Sequence, residues 1–438
     1  MRLLSVITTT TALLLACAGI SAAGMILTID QVRERALEYN RQLLSARKEL
    51  DRAQGEIISA RSGALPTLAL DGRYTRNLTR QEIFLGDEKI PISQNNDFDF
   101  SLSLTQPLYL GGKINAALAI AKIYKNYSEE KVKEAERDIV FLAESYFYSA
   151  ILAETNLDVI KKADAQLTYN LDIAEKYFGQ GMISEYELLR ARVEKLNIEP
   201  QLVAAESDLS VSRKQLKSFL GISLGEEISL ITPSRDTSLA ETPELDSLIY
   251  HALNNRPEMQ QAKLEKQGYK KAVQIARSGW FYPNLHLNGT YSWSASTDDL
   301  RIGGQEHTDS WNVSLMLNIP LFDGGRTVGE VRKAQVDYYQ ADLAEKQLYD
   351  DIVLEVEQAY DNLIQSGKAL ATQTETIAQA EEGMRIADLR YESGVGTQLE
   401  VLSAQTALTQ ARSQLAQTVF HLRLAKAALK KATGYDIY

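Results

Sequence analysis

The sequence predicts an α+β membrane protein. Each chain should carry four transmembrane β-strands plus long antiparallel, coiled-coil-like helices, arranged as two internal repeats. Three observations predict this. Residues 27–221 match residues 245–434 along nearly their whole length, which points to duplication of one structural unit. Within each copy the apolar period switches from helical to alternating and back to helical. Beyond the N-terminal segment, no stretch offers the ~20 uninterrupted apolar residues of a membrane helix, so a membrane crossing falls to strands.

The N-terminus reads Met1-Arg2-Leu3-Leu4, continues as an apolar run from Val6 to Ile20, and ends on Ser21-Ala22-Ala23-Gly24. A basic start, a short apolar centre and small residues at the exit form the pattern of a secretory signal peptide, placed at 1–23. Leu14-Leu15-Ala16-Cys17 also fits a loose lipobox, which would leave a lipidated Cys17. The two readings stand side by side, and either one exports the chain from the cytoplasm.

The first repeat, 24–221, opens with a helical segment from Thr28 to about Ser62, with apolar residues at spacings of three and four. Leu68, Leu70, Gly72 and Tyr74 then alternate with Ala69, Asp71, Arg73 and Thr75. After a polar loop over Leu78 to Asn96, Phe98, Phe100, Leu102 and Leu104 alternate with Asp99, Ser101, Ser103 and Thr105. These are two-faced strands joined as a long-looped hairpin. Pro107 is expected to end ladder pairing, and Gly111-Gly112 to allow the sharp turn into a helix. From Lys113 to about Phe178 no proline occurs and Val132, Ala135, Ile139, Leu142 and Tyr146 step by three and four; ~66 helical residues would reach roughly 100 Å. A glycine-bearing turn over Gly179 to Ser184 sends the chain back to about Leu220 as a second helix, which Pro200 should kink or interrupt.

A connector at 222–243 carries Gly225, Pro233 and Pro243, with a short strand expected at Ile228 to Ile231. The second repeat, 244–434, then copies the first, leaving a short tail at 435–438. Its helical segment runs from Glu244 to about Ser278. Its strands alternate at Leu285 to Trp293 and Trp311 to Ile319, around a loop at Ser294 to Ser310. Pro320 and Gly324-Gly325 take the places of the first proline and glycine pair. A long helix runs from Arg326 to about Tyr391, and Gly394-Val395-Gly396-Thr397 turns it into a return helix ending near Thr433.

A strand that alternates apolar and polar residues over about ten positions suits a crossing with one face to lipid and one to water. Trp280, Trp293 and Trp311 fall at strands or their ends, with Tyr74, Tyr109, Phe281, Tyr282, Tyr291 and Phe322, as an interfacial aromatic girdle would. Four strands cannot close a barrel and open edges are not tolerated in lipid, so several chains must share one sheet. Eight strands leave little lumen, so three chains are favoured over two.

Composition excludes other classes. Lys+Arg 47 against Asp+Glu 58 gives a net charge of -11, which speaks against a nucleic-acid partner. Cys17 is the only cysteine, and His251, His286, His307 and His421 lack metal-site spacing. No disulfide framework, metal centre, cofactor or catalytic constellation is expected.

Two doubled motifs remain. Pro107-Leu108-Tyr109-Leu110-Gly111-Gly112-Lys113 recurs as Pro320-Leu321-Phe322-Asp323-Gly324-Gly325-Arg326, and Phe178-x-x-Gly181-x-x-Ser184-x-x-Glu187 recurs as Tyr391-x-x-Gly394-x-x-Thr397-x-x-Glu400. With these in register twice over, the chain resembles the TolC-like outer membrane efflux protein family across 27–434. The resemblance implies a homotrimer whose 12-stranded β-barrel in outer membrane lipid is continuous with a 12-helix periplasmic α-barrel. Such a trimer docks through a periplasmic adaptor (membrane fusion protein) on an inner-membrane transporter of RND or ABC type, serving efflux or type I secretion with no enzymatic step. It implies that Gly181, Met182, Ile183, Ser184, Gly394, Val395, Gly396 and Thr397 form the adaptor-docking tip, and that Glu187, Tyr391 and Glu400 lie at the pore entrance. Gly396 stands where some relatives carry a basic residue and Ser403 where some carry a second acidic one, so a reduced acidic ring is expected.

The same residues have a local reading. Ser184-x-x-Glu187 and Thr397-x-x-Glu400 are capping-box patterns, in which hydroxyl and carboxylate satisfy backbone N–H groups at a helix start. Capping and lining a constriction both remain open. The competing function is a structural periplasmic coiled-coil spacer without a pore, which the four amphipathic strands argue against.

Overall fold

A computed structural model describes residues 25–231, 244–280, 282–300 and 306–434. The expected signal peptide with Cys17, residues 232–243 of the connector, Phe281 and the tail at 435–438 lie outside the described residues. In chain order the elements are β1 (Met25–Leu27), α1 (Ile29–Tyr39), α2 (Arg41–Ser62), β2 (Thr67–Arg76), β3 (Glu82–Leu85), β4 (Glu88–Pro91), β5 (Asn96–Leu110), α3 (Lys113–Gly179) and α4 (Glu185–Phe219). There follow β6 (Ile228–Leu230), α5 (Leu245–Asn255), α6 (Pro257–Arg277), β7 (Asn284–Thr297), β8 (His307–Asn318), α7 (Arg326–Glu392) and α8 (Gln398–Thr433). The long helices α3 and α7 each have 67 residues. Among the described residues no helix is long and apolar enough to cross a membrane.

The chain forms two compact units, Met1–Ala46 with Val132–Arg256 and Tyr349–Tyr438, and Arg47–Lys131 with Pro257–Leu348. Each draws on both repeats. The second unit holds an antiparallel four-stranded sheet in the order β2-β5-β7-β8. Its register gathers like residues on one face: Leu70 pairs with Leu102, Leu102 with Tyr291 and Tyr291 with Trp311. The neighbouring rung, on the opposite face, reads Asp71, Ser101, Ser292 and Ser310. A period of two on every strand therefore becomes one apolar and one polar surface. Aromatic rings meet across strands, Tyr74 with Phe98, Phe100 with Trp293, and Tyr291 with Trp311 at 4.7 Å between centroids.

Pro107 does not end the ladder as expected. β5 continues to Leu110, with Pro107 opposite His286 and a register shift between Pro107 and Tyr109. A bulge is where a strand tolerates a residue with no N–H to give. Pro320 does lie beyond its strand, which stops at Asn318. The polar stretch from Leu78 to Asn96 is not a plain loop, since β3 and β4 pair inside it around Gly86 at φ +69°. The stretch from Ser294 is likewise shorter as a loop, because β7 runs on to Thr297 and β8 starts at His307.

In the first unit, β1 and β6 form a parallel pair, so the short strand expected in the connector exists and its partner follows the N-terminal segment. The opening helical segment of each repeat is broken, at Asn40 and at Arg256, both with extended backbone. Asn40 Oδ1 accepts the N–H of Gln42 at 2.9 Å, starting α2 afresh. Arg256 precedes Pro257, which disfavours helical backbone at 256 and suits the first position of α6. Pro200, expected to kink or interrupt its helix, leaves α4 unbroken from Glu185 to Phe219.

The helices of this unit bury small and aliphatic residues in narrow stripes. Ala174, Leu188 and Ala191 form one cluster with Leu171 and Ile183 against it; Met384, Ala387, Val401 and Leu408 form another with Ala380, Tyr391 and Ala404. The counterpart positions of the two repeats do the same work, 174 with 387, 188 with 401 and 191 with 404.

Candidate functional site

The doubled tip motif folds as two tight turns, both in the first unit. At the end of α3, Met182 N–H donates to the carbonyl of Tyr177 at 2.8 Å and Gly181 N–H to that of Phe178 at 2.9 Å. The matching bonds at the end of α7 run from Val395 to Arg390 and from Gly394 to Tyr391, each at 3.0 Å. This is the Schellman arrangement, which needs a left-handed residue at its centre. Gly181 and Gly394 supply it at φ +71° each.

The helix starts that follow differ between the copies. Ser184 forms the complete capping box: its hydroxyl accepts from Glu187 N–H, and the Glu187 carboxylate accepts the Ser184 N–H at 2.9 Å. Thr397 forms only half of one. Its hydroxyl accepts the Glu400 N–H at 3.3 Å, while Glu400 Oε2 lies 3.2 Å from Arg390 Nε instead of reaching the cap backbone. The expected second box is therefore incomplete, because a cation lies within reach of the acid that should close it.

Tyr391 lies half-buried against Met384, Ala387, Val401 and Leu408, with its ring 5.9 Å from that of Tyr177. Burial pushes its phenol above the ordinary range, and the charge of Glu187 and Tyr177 add to the rise. Its hydroxyl is buried with no hydrogen-bond partner among the described residues. Gln398, the first residue of α8, is 4% exposed and neither of its side-chain amide atoms is bonded. Met182 and Val395 are exposed at the turn apices. Ile183 is not; it packs inward on Ala174, Leu188 and Ala191.

The strand-to-helix turns differ as well. Gly111 and Gly112 both have positive φ, as do Gly324 and Gly325. A Cβ on Gly111 would lie 2.9 Å from Tyr282 Cβ and 3.0 Å from the Ser278 carbonyl, whereas Gly324 faces open space. Just before the second pair, Asp323 caps α7 by accepting the N–H groups of Gly325 and Thr327 and the Thr327 hydroxyl. Those bonds hold its carboxyl below the usual carboxylate range.

The spacing of the tip motif brings Tyr391 near Glu187 and leaves Glu400 with Arg390. Arg390, Tyr177 and Gln398 are not singled out by the motif. Arg390 had a signal in the repeat itself, because it stands where the first copy has Tyr177, a change of chemical class inside an otherwise matched turn.

No metal-binding group of acidic, histidine or cysteine residues occurs among the described residues. The outer membrane efflux protein family pattern matches residues 32–222 and 248–435. The outer membrane protein TolC of Vibrio cholerae is 21% identical over 95% of this chain and 92% of its own length. The alkaline protease secretion protein AprF of Pseudomonas aeruginosa is 22% identical, over 91% of this chain and 82% of its own. Among solved structures, CusC, described in connection with transmembrane channel formation, superposes with a TM-score of 0.78 at 18% identity, covering 92% of this chain and 91% of that one. The matched stretches take in both repeats, strands, long helices and turns included, and the chain belongs to the outer membrane efflux protein family, a TolC-like protein of the outer membrane.

Proposed function

We propose that the chain is one third of a passive exit duct in the outer membrane. Three copies close their strands into a 12-stranded β-barrel continuous with a 12-helix periplasmic α-barrel, and the duplicated units 24–221 and 244–434 each supply half of a protomer's share. The sheet carries this reading. One face is apolar and the other polar, Trp311 on the apolar face is 75% exposed, and β2 and β8 are edge strands. In lipid such edges need partners, and joining β8 of one copy to β2 of the next satisfies them while turning the polar face toward a water-filled lumen.

The duct takes no chemical step. Energy comes from an inner-membrane transporter of RND or ABC type, and a periplasmic adaptor joins it to the two turns. Met182 and Val395 offer apolar side chains to the adaptor, Gly181, Ser184, Gly394, Gly396 and Thr397 shape the turns, and Glu187, Tyr391 and Glu400 lie at the entrance. Ile183 supports this surface from beneath. Cargo is either small molecules or unfolded polypeptide: one relative is named for TolC and another for protease secretion, so the duct is common and the transporter selects.

The test is the mass of the detergent-extracted protein by light scattering, followed by conductance in a planar bilayer. Three chains with steady ion conductance support the duct. A monomer that stays soluble without detergent, or an assembly that conducts nothing, rejects it in favour of a periplasmic spacer.

A further inference from the structure

We propose that Arg390 is a specificity-determining residue of the duct: it holds Glu400 in a neutral ion pair, so that the two turns of each chain present unlike charge to permeating ions. This rests on the pore reading above and on a comparison between the two repeats. At a constant offset of 213, Tyr177 corresponds to Arg390, Ile183 to Gly396, Ser184 to Thr397 and Glu187 to Glu400.

In the first turn the Glu187 carboxylate accepts the backbone N–H of Ser184 at 2.9 Å and its hydroxyl at 3.1 Å. Both donors are uncharged, and no cation lies in ion-pair range among the described residues. The negative charge is kept. Ile183 packs its side chain on Ala174, Leu188 and Ala191, which anchors this turn by apolar contact.

The second turn is built differently. Gly396 N–H donates to the Arg390 carbonyl at 2.8 Å, a bond added to the two Schellman bonds. A Cβ at 396 would lie 2.8 Å from Arg390 Cβ and 3.0 Å from its carbonyl carbon, closer than real Cβ atoms approach. Glycine here lets the turn settle directly on Arg390, and the Arg390 guanidinium reaches Glu400 at 3.2 Å. The side chains are 51% and 44% exposed, so the pair adds little to stability. Its effect is on the field. An acid with a guanidinium at bonding distance contributes little potential beyond the Debye length of about 8 Å at physiological ionic strength, whereas an unpaired ring of carboxylates draws cations.

The experiment measures reversal potentials in a KCl gradient across a planar bilayer, with the full-length protein and variants checked for unchanged oligomeric mass. Arg390→Gln should raise the K⁺ to Cl⁻ permeability ratio by about twofold or more by freeing the Glu400 charge. Glu400→Gln should lower it by leaving a bare guanidinium, and the double variant should return to the wild-type ratio. Gly396→Ala should shift the ratio in the same direction as Arg390→Gln, since the added Cβ forces the two residues apart. Unchanged ratios in both single variants, with Glu187→Gln still shifting selectivity, would overturn the proposal and leave the duct standing. Absence of conductance from the wild type would remove the duct itself.

Discussion

Gly111 and Gly324 occupy matching positions, yet their substitution should have unequal effects. Both have positive φ, but only at Gly111 would a methyl group meet Tyr282 and the Ser278 carbonyl. Gly111→Ala is expected to cost about 2–4 kcal/mol and Gly324→Ala about 1 kcal/mol, since strain acts at both and overlap at one. Thermal unfolding of the two variants in detergent checks the order. A second residue-scale prediction concerns Asp342, whose carboxyl Lys266 and Lys346 hold at about 2. An unfolded aspartate titrates near 3.9, so the contribution of this group is complete above about pH 4 and is lost as pH falls through about 2. Amide exchange in α6, corrected for intrinsic rates, should be unchanged from neutral pH down to about pH 4 and faster in Asp342→Asn over that range, with the difference closing as pH falls through about 2. Single residues were legible in the sequence where a motif fixes their backbone, as at Gly181 and Gly394. Arg390 and Gln398 were not, because their importance lies in a side chain that takes, or fails to take, a partner across the turn.

At the scale of elements, orientation of the sheet is the testable property. Leu315 belongs to the apolar face of β8 and its neighbour Ser314 to the polar one, opposite Leu287 and Asn288 of β7. Leu315→Lys is expected to destabilise the protein in a bilayer by about 2–4 kcal/mol if it lies near the midplane, and Ser314→Lys by far less. Denaturant titration of the two variants in lipid vesicles gives the comparison; equal effects would mean that the apolar face does not meet lipid. Period alone located the long helices and the four long strands to within a few residues, because their patterns are sustained over many positions. It missed the breaks at Asn40 and Arg256, where apolar spacing carries on across the gap and only local backbone chemistry interrupts it. It also missed the β3–β4 pair, whose four-residue strands are too short to establish a period.

For the whole molecule, α4 shows where a neighbour is needed. Its buried residues Leu188, Ala191 and Ile198 form one seam, while Tyr186, Leu189, Val193, Leu196 and Val203 are exposed and follow Met182 at spacings of four and three, with Pro200 completing the series. A second heptad seam left bare in one chain is covered when helices assemble side by side. Leu189→Glu combined with Leu196→Glu should reduce the trimer fraction at least several-fold by light scattering while helical circular dichroism is retained. Four strands with free edges call for assembly in lipid on the sequence alone, and the sheet order β2-β5-β7-β8 keeps those edges. Which helix faces a neighbour was not legible there, since two seams on one helix look alike until the structure shows which is covered.

The pairing of β1 with β6 also sets a timetable for the newborn protein. Met25 lies beside Ile228, so the first strand to be made waits for about two hundred further residues before its partner exists, a loop closure that is entropically costly and slow. Until then its edge stays open to wrong strands. The first repeat therefore spends longer with an unpaired strand than the second, whose strands are made after their partners in the sheet already exist.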